Sequence, residues 1–418
     1  MQQNSKKDII LSMQNIYTLI KKYKYLAIII FIFIIIESIW IITIPTLSTP
    51  DSPYKLDNIQ NYAKGIKAPI IQEPSPLYYT ITGNIDKLFI HTRISSQVKF
   101  LEFISALFSI ITVIFAYKIS ELLFNDKKIT IINTLTLILF PMFSYVGIMI
   151  DLDALLICLY TAFIYYSLKI LKEGLNKKNF IIITIILFLG LLTKQNMFLN
   201  ILFYIGIIFY ELYRKRLLKF YVKYIIGGAF ITLLFLIFFN TGFKSIVIPR
   251  LELLLNQNNS YSILDYTTYN FHRFYNGLIF KSFWGIYGYI FYPLQNSIYF
   301  LLEILSIVSI IGIVIKIYNY IKERNINKYI IYIILQFIIT FIFLYLLDFT
   351  SVKGYGGYFV QGRYFFPIIS LLIIGFISGL KMFIPKRYYD QFYFILIALM
   401  LLFNAYSIFM INYKFFAI

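Results

Sequence analysis

The chain has 418 residues, of which 60% are hydrophobic and only 14% are charged. That balance is more apolar than a soluble domain needs for its core, and apolar runs near the ~20 residues that cross a bilayer recur throughout. The net charge of +19 would suggest nucleic acid in a soluble protein, but the lysines and arginines lie in short segments between apolar runs. The composition therefore excludes that class and predicts an all-α, multi-pass membrane protein.

Hydropathy predicts about eleven transmembrane helices in one membrane domain, residues 1–418. The first apolar run follows a lysine-rich segment and lacks a small-residue cleavage site, so we expect a retained helix and not a signal peptide. The predicted spans are Tyr25–Ile44, Lys99–Leu123, Ile129–Ile150, Ala154–Leu171, Phe180–Thr193, Met197–Leu212, Tyr224–Asn240, Ile298–Ile317, Tyr329–Leu347, Tyr364–Leu380 and Phe392–Asn412.

The positive residues predict which connections face the cytoplasm. They lie on alternate loops, at 6–24, 127–128, 172–178, 214–223, 316–328 and 381–387, and such loops stay inside. The predicted organisation is then a first outer loop at 45–98, a helix module at 99–240, a second long outer loop at 241–297 and C-terminal helices at 298–418. Long outer loops favour an active site on the outer side of the cytoplasmic membrane, with the N-terminus inside.

The sequence of the first outer loop predicts a short surface helix that follows Asp51. Ser52 is the expected cap, Pro53 falls in the first turn and Gly65 is the stop. The expected apolar face consists of Leu56, Ile59 and Ala63. Because the helix dipole favours an ionised carboxylate at its N-terminus, Asp51 is a candidate base or metal ligand, and a solvated pre-helix residue is the alternative.

Aromatic side chains supply candidates for a substrate groove. Tyr78 and Tyr79 follow a rigid turn that contains two prolines, and Trp284 belongs to an aromatic-rich segment of the second long loop. All three could line a groove for sugar or lipid. The alternative is an aromatic belt at the membrane surface, where tyrosine and tryptophan are common anchors.

Several short motifs recur in a fixed order along the chain. They are Pro50-Asp51, Pro53, Pro76-Leu77-Tyr78-Tyr79, Ser105, Thr112-Val113, Tyr117, Pro141, Asp153-Ala154-Leu155, Leu192-Thr193-Lys194, Ser282-Phe283-Trp284-Gly285 and Gln361-Gly362-Arg363-Tyr364. The first loop resembles that of the GT-C superfamily, which includes protein O-mannosyltransferases and aminoarabinose transferases. The whole set is most similar to a bacterial domain-of-unknown-function family of GT-C-like membrane proteins with PDEPAH, PPLYY, NDAL and QGRY motifs.

Three positions depart from the pattern of that bacterial family. Ser52 stands where the family has its second acidic residue, and Lys55 stands where it has a histidine. Glu102 replaces an arginine that often opens the second span. These departures leave metal dependence open, whereas Asp51 is retained.

The topology assigned from charge places several charged residues near the outer ends of different spans, so one outer site could contain them. Asp153 opens the fourth helix and could hold a divalent cation or orient an acceptor, with Asp151 as the alternative ligand. A solvated helix start is the other interpretation of this pair. Arg363 and Lys194, at helix ends beside carboxylates, suit a phosphate group.

The resemblance implies transfer of a sugar from a polyprenyl-phosphate carrier to a hydroxyl of a cell-envelope glycan, lipid or protein, with inversion at the anomeric carbon. Asp51 would act as general base, while Lys194 and Arg363 would bind the departing phosphate. A divalent ion shared by Asp51 and Asp153 is the cofactor that the sequence leaves open. The expected partners are the lipid donor, the acceptor and membrane lipids, without nucleic acid.

Two other functions remain compatible with the sequence. A flippase for lipid-linked oligosaccharides shares the many helices and the charges near the membrane. A non-catalytic GT-C-like protein that binds lipid would explain the departures at Ser52 and Lys55. The glycosyltransferase is preferred because the charged candidate residues lie at the outer ends of the predicted spans. The inner loops are also short, and the sequence shows no inverted repeat.

Overall fold

The computed structural model describes residues 2–66, 75–89, 92–216, 250, 252–253, 262–288, 290–324 and 327–416, most of them in helices. One short antiparallel pair within these ranges joins β1 (Ile286–Tyr287) to β2 (Tyr292–Pro293). The helices are α1 (Gln2–Thr43), α2 (Ser52–Ala63), α3 (Pro76–Asp86), α4 (Ile94–Phe124), α5 (Lys127–Ile138), α6 (Pro141–Ile148), α7 (Leu152–Glu173), α8 (Lys177–Leu191), α9 (Leu199–Arg214), α10 (Ile263–Asn270), α11 (His272–Tyr275), α12 (Leu278–Gly285), α13 (Asn296–Lys322), α14 (Lys328–Tyr355), α15 (Ile369–Leu380) and α16 (Tyr389–Phe416).

Within the described ranges, eight helical segments are long and apolar enough to cross a bilayer, or nine if the bent pair α5 and α6 forms one span. The predicted all-α membrane architecture is confirmed, but the predicted number of eleven spans is not. α8 has 15 residues and is about 22 Å long, which is shorter than the about 30 Å hydrocarbon core. The predicted span Tyr224–Asn240 lies outside the described residues.

The predicted span Ile129–Ile150 is not one straight helix. α5 and α6 meet at an angle of 60° because Pro141 starts a new helix. Proline lacks the N–H that would continue the helix and drives the preceding residue towards extended backbone, as seen at Phe140 with φ −72° and ψ 111°. The bend places α6 directly before the acidic start of α7.

α14 continues past Leu347, the predicted end of its span, to Tyr355. It ends where Gly356 adopts a left-handed backbone with φ 65°, a common helix terminator. The helix therefore extends beyond its apolar run and carries Asp348 within its last turns.

The helices approach closely where side chains are small. A Cβ at Gly312 of α13 would collide with the carbonyl of Gly379 in α15, and Ser309 Oγ donates to the Phe376 carbonyl at 3.0 Å. In lipid, close packing and hydrogen bonds such as these hold helices together, because burial of apolar surface gives no comparable drive.

The described connections separate into two ends of the bundle. We call the end with connections 44–51, 149–151, 192–194 and 356–361 the site end. Connections 125–126, 174–176 and 381–388 form the basic end, where Lys128 pairs with Asp390 and joins α5 to α16. In the described parts of the two long predicted loops, α2, α3 and α10 to α12 form and lie at the site end.

Candidate active site

Six charged side chains from distant parts of the chain meet at the site end. They are Asp51, Lys55, Asp151, Asp153, Lys194 and Arg363. Five of the side chains are only 3% to 8% exposed, whereas that of Asp51 is 54% exposed. The structure thus brings together all the charged candidates from the sequence and adds Lys55.

Asp51 stands immediately before α2 with a left-handed backbone, φ 61° and ψ −1°. Few residues other than glycine adopt this conformation, and aspartate tolerates it better than most. Pro53 lies in the first helical turn, and the Lys55 N–H donates to the Asp51 carbonyl at 2.9 Å. The prediction of Ser52 as the cap is wrong, because Ser52 lies inside the helix and its buried hydroxyl pairs with that of Thr49.

α7 begins with two buried carboxylates. Asp151 caps the helix by accepting the Leu152 N–H on Oδ1 at 2.6 Å, and Asp153 lies in the first turn. The positive end of the helix dipole favours negative charge at both positions. Burial raises the pKa of Asp151, and the neighbouring charge of Asp153 raises it further, while the surrounding cations act in the opposite direction.

Lys194 lies in the turn between α8 and α9. Its Nζ donates to Asp153 Oδ1 at 2.8 Å and lies 5.2 Å from the ring centre of Tyr364. In the same turn the Leu192 carbonyl accepts the Leu77 N–H at 3.2 Å. The Pro-Leu-Tyr-Tyr and Leu-Thr-Lys motifs therefore contact each other beside the cluster.

Arg363 is carried by the 3₁₀ turn Gly362–Ile368 and faces three carboxylates. Its Nη2 lies 3.4 Å from Asp51 Oδ2, its Nη1 lies 3.5 Å from Asp151 Oδ2, and its Nε lies 3.7 Å from Asp153 Oδ2. Charge-assisted hydrogen bonds are usually ~2.7–2.9 Å, so these contacts are long. Among the described residues, Nε has no hydrogen-bond partner, which leaves the guanidinium able to bind an additional anion.

The turn that carries Arg363 is held against α12. The Gly362 N–H donates to Ser282 Oγ at 2.8 Å, and a Cβ at position 362 would collide with the backbone of Phe283. Only glycine permits this close approach. The two C-terminal motifs, which are far apart in sequence, thus form one structural unit.

Lys55 is the site residue that sequence reasoning missed, because it stood out only as a departure from the family histidine. Its Nζ is 3.9 Å from Asp151 Oδ1 and its side chain is 4% exposed. It shares the buried face of α2 with Leu56, Ile59 and Ala63, whose predicted common face is confirmed. A lysine on the apolar face of an amphipathic helix was the available signal.

The aromatic groove candidates do not all face open space. Tyr78 is 1% exposed, and Trp284 is 5% exposed with its ring edge-on to Phe140. Burial, followed by the charge of Asp151, raises the pKa of Tyr78. Because buried rings offer no face to a sugar, Tyr78 and Trp284 are reassigned to packing. Tyr79 is half-buried, and its role as a groove residue stays a prediction.

The carboxylates of the cluster are engaged by cationic side chains. Of the predicted metal pair, Asp51 contacts Arg363 at 3.4 Å, and Asp153 contacts Arg363 and Lys194 at 3.7 and 2.8 Å. Over the described part of the chain, no group of three or more His, Cys, Asp or Glu residues is arranged to hold a metal ion. The residues present therefore do not fit the divalent ion that the sequence leaves open.

A narrow pocket lies beside Arg363. Its walls are mostly apolar and consist of Pro50, Met142, Tyr145, Met149, Ser282, Ile286, Gly288, Ile290, Gln361 and Arg363. An apolar pocket with one buried cation suits an amphiphilic ligand that has an anionic group.

Comparison with known proteins gives a partial family match and a fold. Residues 87–239, less than half of the chain, match the family model described as dolichyl-phosphate-mannose-protein mannosyltransferase. No curated protein matches the sequence.

Several solved chains are similar in structure, among them the following three. Archaeal oligosaccharyltransferase AglB from Archaeoglobus fulgidus, in complex with an inhibitory peptide and a dolichol-phosphate, is 13% identical with a TM-score of 0.52 over 94% of this chain and 56% of that chain. An Archaeoglobus fulgidus oligosaccharyltransferase tethered to an acceptor peptide is 15% identical with a TM-score of 0.53 over 94% and 55%. ArnT from Cupriavidus metallidurans in the apo state is 11% identical with a TM-score of 0.48 over 89% and 62%.

The two oligosaccharyltransferase matches extend over nearly the whole of this chain. The fold is similar to that of these two oligosaccharyltransferases. At these identities the likeness concerns the fold alone, and this chain spans little more than half the length of the oligosaccharyltransferase chains. The resemblance to the narrower bacterial family stays a prediction.

Proposed function

We propose that this protein is a glycosyltransferase that transfers a sugar from a polyprenyl-phosphate carrier to a hydroxyl acceptor. The observation that carries the proposal is the half-exposed Asp51 carboxylate, 3.4 Å from the buried Arg363 guanidinium, with Lys194 in the same cluster. A carboxylate can take a proton from an acceptor, and buried cations can stabilise a departing phosphate. The description of the matching family and the dolichol-phosphate bound in the AglB complex support a lipid-phosphate donor.

The reaction requires one bond to form and one to break. The acceptor oxygen bonds to the anomeric carbon while the bond from that carbon to the phosphate oxygen breaks, and the electron pair stays on the phosphate. Asp51 takes the acceptor proton, and Arg363 and Lys194 stabilise the added phosphate charge. Direct displacement inverts the anomeric carbon. Asp51 suits the base because its exposed carboxylate is accessible to an acceptor.

The charge of the buried part of the cluster supports an anionic ligand. Without Asp51, the cluster contains three cations and two carboxylates, which is an excess of one formal positive charge. Asp51, whose side chain is 54% exposed, supplies the balancing charge at 3.4 Å from Arg363, so an anionic ligand would share the guanidinium with it.

The arrangement of charges also supports an outer active site in the cytoplasmic membrane. The cluster and the basic connections lie at opposite ends of the bundle. The positive-inside rule assigns the basic end to the cytoplasm, so the cluster faces outside. A flippase would need polar groups along a path between both ends, whereas the six charges described here share one end.

The test is release of polyprenyl phosphate by the purified full-length chain in lipid nanodiscs. We expect turnover with at least one member of a panel of polyprenyl-phosphate sugars, and a loss of about 10²–10⁴-fold in Asp51→Asn. Asp57→Asn is the matched control, because Asp57 lies on the exposed face of the same helix. Bound donor without release across the panel would favour a transporter or a non-catalytic lipid-binding protein.

A further inference from the structure

The opposite charges of the cluster alternate in space. Asp153 lies between Lys194 at 2.8 Å and Arg363 at 3.7 Å. Asp151 lies between Arg363 at 3.5 Å and Lys55 at 3.9 Å. Each of these carboxylates therefore has a cation near both of its oxygens.

We propose that Lys55 completes a built-in set of cations that takes the place of a divalent metal ion, so that the sugar transfer of this protein needs no metal. The inference rests on the proposed function for its chemistry, but its charge arrangement is independent of the substrate. Lys55 acts through Asp151 as a positioning residue, whereas Arg363 and Lys194 contact the phosphate.

The geometry of ligands supports this proposal. A divalent ion bound by carboxylates needs oxygens at ~2.0–2.6 Å and several of them directed at one point. Here the oxygens of Asp151 and Asp153 are directed at nitrogen atoms of different residues. A dication placed among them would face three fixed positive charges, so it would have to displace at least one cation.

The placement of Lys55 also supports the proposal. Its position on the inner face of α2, with a side chain only 4% exposed, costs free energy unless a carboxylate compensates the ammonium group. Asp151 compensates it, and the same carboxylate contacts Arg363. Lys55 therefore limits how much of the Asp151 charge acts on the guanidinium, which keeps Arg363 able to bind an added anion.

The experiment measures Mn²⁺ binding and turnover on the full-length protein in lipid nanodiscs. For the native chain we expect no stoichiometric Mn²⁺ site by electron paramagnetic resonance and turnover that EDTA changes by less than about twofold. Lys55→Met should reduce turnover about 10²-fold and should acquire Mn²⁺ binding, because it frees one side of Asp151. Lys55→Arg, which keeps the charge, should restore most of the turnover and bind no Mn²⁺.

Lys64→Met is the matched control, because Lys64 follows the same helix but is exposed. A native chain that binds one Mn²⁺, with binding lost in Asp51→Asn, would overturn the inference, as would turnover abolished by EDTA and restored by Mn²⁺. If no donor is turned over, the proposed function fails, but the Mn²⁺ measurements on the native chain and Lys55→Arg still decide the inference. If Lys55→Met does not fold, the same two samples decide it.

Discussion

Two ion clusters of this protein both pair arginine with aspartate but differ in how closely the aspartate is held. We call Asp348 with Arg273 and Tyr266 the tight cluster, and the six charged residues around Arg363 the loose cluster. The Asp348 carboxylate accepts from Tyr266 Oη at 2.6 Å and from the N–H groups of Phe359 and Val360 at 3.0 and 2.8 Å, and it also pairs with Arg273. The carboxylate contacts of the Arg363 guanidinium are 3.4 to 3.7 Å long. A satisfied carboxylate stabilises the architecture, whereas a loosely held guanidinium can still bind a ligand.

The two clusters are mechanically connected. Asp348 holds the backbone at Phe359 and Val360, a few residues before Arg363, and the Arg273 guanidinium lies 3.6 Å from the ring centre of Tyr358 in the same segment. The tight cluster thus holds the segment 358–360, which leads directly to Arg363 in the loose cluster. Damage to the first should appear as lost stability, and damage to the second as lost turnover.

The largest expected effect on stability comes from Asp348→Asn. The amide oxygen can still accept the backbone N–H groups, but Arg273 keeps a buried charge without its carboxylate. Breaking a buried pair in this way costs about 3–5 kcal/mol. We therefore expect a clear fall in the thermal unfolding midpoint in lipid nanodiscs.

Asp390→Asn is the matched control for that measurement. Its ion pair with Lys128 lies at the surface, with side chains 75% and 52% exposed, and such pairs contribute roughly 0–1 kcal/mol. Equal shifts of the unfolding midpoint in the two variants would show that the Asp348 cluster is no more important than a surface pair.

Arg363→Lys should separate turnover from stability. Lysine keeps the charge but has no planar fork that can face three carboxylates and a phosphate together. We expect turnover of the polyprenyl-phosphate sugar to fall about 10²–10³-fold, which is the usual effect of losing one transition-state donor, with little change in the unfolding midpoint. A stability loss as large as that of Asp348→Asn would remove the distinction between the clusters.

Much of the loose cluster could be predicted from the sequence because each member lies next to a helix end. Alternating basic loops placed Asp51, Asp153, Lys194 and Arg363 at one end, and the structure brings their side chains together. Lys55 was missed because it was judged only as a replacement of the family histidine, and its position on the apolar face of α2 was not considered. Its spacing from Leu56 and Ile59 contained the information.

The tight cluster could not be predicted in the same way. Asp348 follows an apolar run and looked like a loop residue, while Arg273 and Tyr266 belong to a segment without strong periodicity. Their meeting depends on how α10, α11 and α14 pack, which no local pattern specifies. The bend at Pro141 was also missed, because the span Ile129–Ile150 was predicted across it, although a proline inside an apolar run was the available signal.

Ser282→Ala tests whether the Arg363 turn depends on its contact with α12. The change leaves the Gly362 N–H buried without its acceptor, which costs about 1–3 kcal/mol. We expect a moderate fall in the unfolding midpoint and a smaller loss of turnover than in Arg363→Lys. Ser306→Ala is the control, since the Ser306 hydroxyl donates to the Leu302 carbonyl of its own helix. Turnover unchanged in Ser282→Ala would show that the turn is held by other contacts.

The smallest expected effect is a change in the pH dependence of stability in Asp151→Asn. Because burial raises the folded-state pKa of Asp151, its contribution to stability is fully present below the ordinary value of 3.8 and is lost as pH rises through the raised pKa. As pH rises through this range, the unfolding midpoint should therefore fall less in Asp151→Asn than in the native chain. Asp265→Asn should behave oppositely, because hydrogen bonds from Ser262 lower the pKa of Asp265, and its contribution is lost as pH falls. If the unfolding midpoints of the native chain and Asp151→Asn depend on pH in the same way, the surrounding cations offset the effect of burial on Asp151 completely. The carboxylates of the loose cluster would then be as well compensated by their cations as Asp348 is in the tight cluster.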